Sequence, residues 1–279
     1  MRASLIVNPF AHRVTEERVR QVEAELEPVE TLLTARPGHA IELAREAIGD
    51  VVWVLGGDGL INEVLNGLRP GVALGIVPGG HTNVLARALG VKAGPLGARR
   101  PRRISLGRVN GRRFSFAAGI GVDSEAVRAM ETERRAHEGR RPGDLAYARD
   151  VAARLLRGYE PALEVRGAGH AALLFVSNDA TFTYAGPIPL RFSPGARFEL
   201  GFDYVALERV RPRSAWGLLA RILAGHGLGG ARGALSGHDL DRLEVQCDRP
   251  RPLQADGEDL GDVSEAVFEA ERDAVSVLV

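Results

Sequence analysis

The chain has 279 residues, of which 45% are hydrophobic and 26% charged, and its formal net charge is zero. This length suits one large domain or two ordinary ones with a sizeable buried core. The balanced charge argues against a general attraction to nucleic acid, no tract is apolar and long enough to span a bilayer, and the single cysteine excludes an internal disulfide. Asn8 and Pro9 interrupt the N-terminal apolar run too early for a signal peptide, so we expect a cytoplasmic protein.

Strand and helix patterns alternate through the first part of the chain. The predicted strands are 4–9, 29–35, 51–55 and 72–78, and the predicted helices are 14–27, 39–49, 60–68 and 84–90. Such alternation predicts a mostly parallel sheet with right-handed crossovers. The loops that follow the strands would then meet along one edge of the sheet, where open α/β sheets bind ligands.

The pattern changes after about residue 104. Short apolar runs, a hairpin signal at Asn110-Gly111 and turns rich in Pro, Gly and Asp replace the alternation. One clear helix is predicted at 145–158, and two short strands are predicted within 267–279. We therefore predict an α/β domain at residues 1–104 and a mainly antiparallel domain at residues 105–279.

Residues 56–59, Gly-Gly-Asp-Gly, come directly after the buried strand 51–55 and lead into a helix. Glycines let the backbone approach a ligand closely, and a helix N-terminus presents N–H groups that suit phosphate. Asp58 would repel a phosphate unless a divalent cation lies between them, and Mg²⁺ prefers one or two carboxylates plus substrate phosphates. The pattern favours a metal–nucleotide phosphate site, and an ordinary tight turn is the alternative.

A second loop of the same kind, Pro-Gly-Gly-His-Thr-Asn at 78–83, follows the next predicted strand. Thr82 and Asn83 would supply polar groups at the start of a helix, and a plain helix cap is the alternative role for either residue. Two arginine-rich runs, 98–113 and 134–141, would suit an anionic membrane surface or phosphate; solvated faces are the alternative for both.

Five motifs and the spacing among them identify a resemblance: IVNP (6–9), GGDGLINEVLNGL (56–68), PGGHTNVLARALG (78–90), FAAGIGVDSEAV (116–127) and LQADGE (253–258). The chain resembles the diacylglycerol kinase catalytic-domain family, in particular its soluble bacterial lipid kinases. The resemblance implies an NAD kinase/diacylglycerol kinase-like α/β domain and a C-terminal antiparallel β-sandwich domain, with ATP between them. It leaves open that the last strand returns to the first domain.

The resemblance also implies roles for particular residues. Around the nucleotide it places Asn8, Gly56, Gly57, Asp58, Gly59, Gly80, Thr82 and Asn83, with Asp58 also as a metal ligand and catalytic group. Asp123 matches the position of an acid near the lipid head group, although it could instead cap a helix. The candidates for the proton acceptor are Glu258, which we favour, and Asp256. If this motif is a strand, alternation would put both side chains on one face. An exposed acidic hairpin corner is the alternative for this motif.

The leading hypothesis is an ATP-dependent lipid kinase that transfers the γ-phosphate to the hydroxyl of a diacylglycerol-like lipid, with Mg²⁺. It predicts peripheral contact with a membrane surface and no nucleic-acid partner, and it leaves a homodimer open. Leu60 stands where the family usually has Thr, and His81 stands where it usually has Thr or Ser. These departures favour a second hypothesis, a catalytically impaired member that binds nucleotide or lipid and regulates another process. A kinase for a soluble substrate such as NAD is the third.

Overall fold

The computed structural model describes residues 2–91, 95–136 and 144–279. These residues form two compact units, Met1–Leu106 with Arg272–Val279, and Gly107–Glu271. Within the described part of the chain, no helix has the length and apolar character needed to cross a bilayer.

The first unit is an α/β fold. Its elements are β1 (Ala3–Val7), α1 (Glu16–Leu26), β2 (Glu30–Leu33), α2 (His39–Glu46), β3 (Val51–Gly56), α3 (Asp58–Gly67), β4 (Ala73–Pro78) and α4 (Val84–Ala88). The four strands pair in parallel in the order β2-β1-β3-β4. Every residue of β3 is buried, as expected for a parallel strand covered on both faces. The predicted parallel sheet is therefore confirmed.

Glycine sets how closely α3 approaches α2. A Cβ added at Gly67 would lie 2.1 Å from the backbone oxygen of Ile41 and 3.0 Å from the Cβ of Ala44. Because glycine has no side chain, the two helices pack almost backbone to backbone. This contact holds α3 in place, and α3 begins at the Gly-Gly-Asp-Gly loop.

The second unit begins within strand β5 and is mainly antiparallel. Its elements are β5 (Pro101–Val109), β6 (Arg112–Phe114), β7 (Ala117–Ile120), α5 (Val122–Ala136), α6 (Asp144–Leu155), β8 (Leu163–Val165), β9 (Gly169–Ala171), β10 (Leu173–Ser177), β11 (Thr183–Ala185), β12 (Ile188–Leu190), β13 (Phe202–Leu207), α7 (Pro212–Leu223), β14 (Ala234–Leu240), β15 (Arg242–Ala255) and β16 (Glu258–Leu278). Strands pair in the order β14-β13-β10-β7-β15-β16, and Phe114, Phe202 and Phe268 fill the core. The predicted hairpin at Asn110-Gly111 joins β5 to β6, with both residues at positive φ.

Two features of the second unit differ from the sequence predictions. Residues 267–279 do not form two short strands, because they continue β16, a single strand of 21 residues that pairs with β15 along much of its length. As the resemblance left open, its last residues lie in the first unit, where Val277 and Leu278 pair in parallel with β4. Helix α7, which the sequence analysis did not predict, accompanies α5 and the predicted α6.

Candidate functional site

The loops after β1, β3 and β4 meet at one edge of the first unit, as their parallel pairing predicts. The backbone N–H of Asn8 donates to the oxygen of Leu55 at 3.1 Å, and that of Gly79 donates to the oxygen of Gly56 at 2.7 Å. Asn8 also accepts a hydrogen bond from the N–H of Phe10 through Oδ1, at 2.9 Å. Strands β2 and β3 lie on opposite sides of β1, so the order of the strands switches between β1 and β3. Open α/β sheets form a ligand crevice at such a switch point.

Two of the glycines predicted to touch nucleotide have packing roles: Gly80 lets the two loops approach each other, and Gly56 lies against the side chain of Leu60. A Cβ on Gly80 would lie 2.5 Å from the Cα of Gly57, and a Cβ on Gly56 would lie 2.5 Å from Cδ2 of Leu60. Gly59 differs, because a Cβ there would meet no atom within 4 Å. Alanine would therefore fit at this position, and glycine costs a helix about 1 kcal/mol relative to alanine. Packing thus does not explain why residue 59 is a glycine.

Asp58 fixes the second loop to the first. Its Oδ2 accepts the N–H of Val84 at 2.9 Å and its Oδ1 accepts the N–H of Leu85 at 3.1 Å, so it caps the N-terminus of α4. Asn83 occupies the N-cap position at φ 50° without a side-chain cap bond. It instead closes the loop on Gly80, accepting that N–H at 2.9 Å and donating to its oxygen at 3.0 Å.

These bonds do not exclude a cation at Asp58, because each carboxylate oxygen has two lone pairs. The alternative of a helix cap for Asn83 is wrong in its usual form, since the cap comes from Asp58, 26 residues earlier in the chain. Among the described residues, no three His, Cys, Asp or Glu side chains are grouped as a metal site would need. A cation held by Asp58 would therefore take most of its other ligands from phosphate, water or uncharged oxygens of the protein.

The rest of the 56–68 motif has structural roles that the sequence did not reveal. Glu63 accepts the N–H of Gly38 at 2.8 Å and the N–H of Ala40 at 3.2 Å, so it caps α2 from α3. Leu60 is buried against Gly56, so its departure from the family's usual Thr is accommodated by the core. Thr82 is half-buried, and His81 is exposed with its ring edge-on to His12 at 5.9 Å.

Asp256 and Glu258 do not lie on one face of a strand, so that prediction is wrong. Asp256 (φ 49°) and Gly257 (φ 76°) form the two-residue turn between β15 and β16, with Ala255 opposite Glu258. A turn of this kind needs positive φ at both central residues, which Asp-Gly supplies. The hairpin corner, the alternative from the sequence, is observed, but it is not the exposed acidic corner expected, because Asp256 is buried.

The Asp256 side chain points into the protein. Its carboxylate accepts the N–H and Oγ–H of Ser115 at 2.6 and 2.8 Å, the N–H of Phe116 at 3.0 Å and the N–H of Ala117 at 3.2 Å. Asp256 thereby fixes the entry to β7. Glu258 is half-exposed and pairs with Arg112 at 2.8 Å, so its carboxylate is accessible and lies beside an arginine.

Asp123 is fully buried at the start of α5. Its Oδ2 accepts a hydrogen bond from Nε2 of Gln254 at 2.8 Å, whereas its buried Oδ1 has no partner among the described residues. Burial raises the pKa of Asp123 to about 6, and the hydrogen bond from Gln254 opposes that rise. Gly119 makes room for this carboxylate, since a Cβ there would lie 2.2 Å from Oδ2.

The sequence analysis missed Gln254, which links Asp123 to the turn. Besides its bond to Asp123, its Oε1 accepts the N–H of Gly257 at 3.0 Å. Gln254 belongs to the LQADGE motif (253–258), but only the acidic residues of that motif were considered as site residues. Gln254 is itself buried, so Asp123 and the Asp256-Gly257 turn are held together by one rigid amide.

A cavity of about 380 Å³ lies beside Asp123 in the second unit. Its walls come from α5, α6, β10, β11, β12, β13 and α7, and they are lined mainly by leucine, phenylalanine, valine, isoleucine and alanine. Asp123 is the one charged side chain among the described lining residues. An apolar cavity with a single charged group suits a ligand with a hydrocarbon body and a polar end.

Several arginines of the run 98–113 have partners on the C-terminal strand β16. Arg108 and Arg113 both pair with Glu271, and Arg103 donates to the backbone oxygen of Asp273. The second run, 134–141, lies outside the residues whose side chains are described. The predicted attraction of these runs to a membrane therefore stays a prediction.

Comparison with known proteins supports the motif-based resemblance. Residues 2–110 match the model of the diacylglycerol kinase catalytic domain. A diacylglycerol kinase of Bacillus subtilis (strain 168) is 37% identical over 140 residues, which is 43% of this chain and 46% of the relative. The match thus spans about half the length of that curated relative.

Solved structures share the fold across both units. The crystal structure of a diacylglycerol kinase from Bacillus anthracis str. Sterne has a TM-score of 0.72 at 21% identity, covering 99% of this chain and 96% of that one. An NAD kinase from Archaeoglobus fulgidus, in complex with ATP, has a TM-score of 0.53 at 15% identity, covering 99% and 93%. The NAD kinase/diacylglycerol kinase-like fold is confirmed, and so is the resemblance of residues 2–110 to the diacylglycerol kinase catalytic-domain family.

Proposed function

We propose that this protein is an ATP-dependent lipid kinase that transfers the γ-phosphate to the hydroxyl of a diacylglycerol-like lipid. The observation that carries the proposal is the apolar cavity of about 380 Å³ with the buried carboxylate of Asp123 in its wall. A lipid would place its chains against the aliphatic and aromatic walls and its hydroxyl at Asp123. The unpartnered Oδ1 is an acceptor that a substrate O–H would satisfy.

The first unit supplies the nucleotide side of the reaction. The open space at Gly59 and the first-turn N–H groups of α3 form a cradle for phosphate. Asp58 would hold Mg²⁺ against those phosphates, and the metal would neutralise charge that develops during transfer. Asn8, Thr82 and Asn83 lie on the same sheet edge and would position the rest of the nucleotide.

Glu258 is the proposed proton acceptor, because it is accessible and held by Arg112. Asp256 is better explained as a positioning residue, since its carboxylate accepts four hydrogen bonds from residues 115–117. Asp123 would orient the acceptor hydroxyl. Its raised pKa places its own titration close to neutral pH, so it is also suited to take the proton.

Two rival functions have specific support. The fold shared with the ATP-bound NAD kinase makes NAD a reasonable acceptor to test. Leu60 and His81 support a binding protein without turnover, but Leu60 is buried against Gly56, so a leucine fits this loop. The apolar cavity favours a lipid over NAD, because a dinucleotide would leave its many polar groups unpaired against apolar walls.

The test is transfer of labelled γ-phosphate from ATP with Mg²⁺ to diacylglycerol, ceramide, sphingosine or NAD, with the lipids in mixed micelles. Ala185→Trp places an indole in the cavity wall, and Ala153→Trp is its control on an exposed position of α6 outside the cavity. We expect labelled diacylglycerol with the wild type and A153W, and at least tenfold less with A185W and D123N, a loss of about 1.4 kcal/mol in transition-state binding.

Three results would contradict the proposal. Label found only on NAD would identify the soluble-substrate kinase. Calorimetric binding of ATP with no label on any acceptor would identify the regulatory binding protein. Equal activity of A185W and A153W would mean that the cavity does not hold the substrate.

A further inference from the structure

Helix α7 presents apolar side chains at the mouth of the cavity. Trp216 and Leu223 are 66% and 63% exposed, yet both line the cavity. A side chain that lines a cavity and is two-thirds exposed must lie at its opening. Leu219 and Ala220 lie between them at helical spacing and also line the cavity, so the stripe is continuous.

The hairpin β11–β12 adds a second apolar group beside the same cavity. Ala185 and Leu190 line the cavity, and Ile188, near the turn between the two strands, is 49% exposed. Single exposed apolar residues are common, but a group around one opening indicates an interaction site. The exposed apolar stripe of α7 is thus joined by one exposed apolar side chain, Ile188, on a hairpin that also lines the cavity.

The segment of the chain that contains α7 is basic. Residues 209–238 contain five arginines and no aspartate or glutamate; they are Arg209, Arg211, Arg213, Arg221 and Arg232. Arg211 and Arg213 are exposed at the N-terminal end of α7. Arg213 precedes Trp216 by three residues, so the two side chains lie on neighbouring positions of the helix surface.

We propose that α7 and the β11–β12 hairpin form the surface by which this protein docks on an anionic bilayer, with Trp216 in the interface and the cavity open toward the membrane. The proposal rests on the proposed lipid kinase function and names the surface that meets the substrate's membrane. Basic helices with exposed apolar residues bind such surfaces, and tryptophan favours the bilayer interface. The arginines select an anionic surface over an apolar protein partner.

This surface differs from the one that the arginine-rich sequence run suggests. In the run 98–113, Arg108 and Arg113 are paired with Glu271, and Arg112 is paired with Glu258. An arginine neutralised by a carboxylate of its own chain contributes less to attraction by lipid phosphates. The acid-free segment at α7 keeps a net positive charge even though Arg209, at its start, pairs with Glu160.

The test is tryptophan fluorescence with phosphatidylcholine vesicles, with and without phosphatidylglycerol, in the absence of ATP. The chain has two tryptophans, and Trp53 is buried, so changes report mainly on Trp216. We expect a blue shift and quenching by brominated lipid with the anionic vesicles, and weakening of both as salt rises. Trp216→Ala, followed by vesicle pelleting, should weaken binding at least tenfold.

Charge variants separate docking from chemistry. The double variant R211Q/R213Q should bind anionic vesicles about thirtyfold more weakly, while its transfer of phosphate to a water-soluble short-chain diacylglycerol stays at the wild-type level. The matched controls are R18Q/R20Q on α1 and Ile48→Ala, an exposed apolar residue of the first unit. Both controls should bind like the wild type.

Three outcomes would overturn the docking surface. One is unchanged Trp216 fluorescence with anionic vesicles, and another is an equal loss of binding in the controls. The third is a blue shift that depends on protein concentration without vesicles, which would identify a second copy of the chain as the occupant. Vesicle binding without any lipid phosphorylation would instead contradict the proposed kinase and leave the docking surface intact.

Discussion

Replacement of Asp123 by asparagine should change how stability depends on pH. Burial raises the pKa of Asp123 from 3.8 to about 6 in the folded protein. At 1.36 kcal/mol per pKa unit, this difference corresponds to about 3 kcal/mol. Because the folded pKa is the higher one, the wild type has this stability below about pH 4 and loses it as the pH rises through about 6. An asparagine at this position carries no titrating proton, so the free energy of unfolding of D123N should not include this loss with rising pH.

We therefore expect the free energy of unfolding of D123N, relative to the wild type, to increase by about 3 kcal/mol between pH 4 and pH 7. Urea unfolding at steps across this range measures the difference, and hydrogen exchange of β7 and β10 amides reports on the second unit specifically. Glu164→Gln, on an exposed carboxyl of β8, is the control and should follow the wild-type profile. A difference between D123N and the wild type that stays constant with pH would refute the buried-carboxylate reasoning.

Three other predictions follow from the loops and the turn. Gly59→Ala should stabilise the protein by up to about 1 kcal/mol in urea unfolding, because a Cβ meets nothing there, yet it should raise the KM for ATP. A KM equal to the wild type's would remove Gly59 from the nucleotide site. Asp256→Asn should destabilise by roughly 2–4 kcal/mol, since four hydrogen bonds lose their charged acceptor; an unchanged urea midpoint would contradict that role. Glu258→Gln should change stability by less than about 1 kcal/mol, because its pair with Arg112 is partly exposed, while lowering kcat at least a hundredfold; retained kcat would reassign the proton acceptor.

The sequence determined the first unit in detail. Continuous apolar runs identified its buried strands and a period of about 3.6 residues identified its helices, each to within a few residues, because local patterning sets these elements. Parallel pairing then required the loops at Asn8, Gly56–Gly59 and Gly79–Asn83 to share one sheet edge, as the structure shows. The motif residues and their spacing also predicted the family that residues 2–110 match.

Only the tertiary structure decided what individual side chains do, because their partners lie far away in the sequence. Asp58 caps a helix 26 residues later, and Asp256 is bonded to the backbone about 140 residues earlier. The same holds for the apolar cavity, whose walls come from seven elements that no local pattern connects. Hydrophobic periodicity is a local property, so it can be identified from the sequence alone. Hydrogen-bond partners, burial and a raised pKa depend on long-range packing, and these decided the chemistry assigned to Asp123.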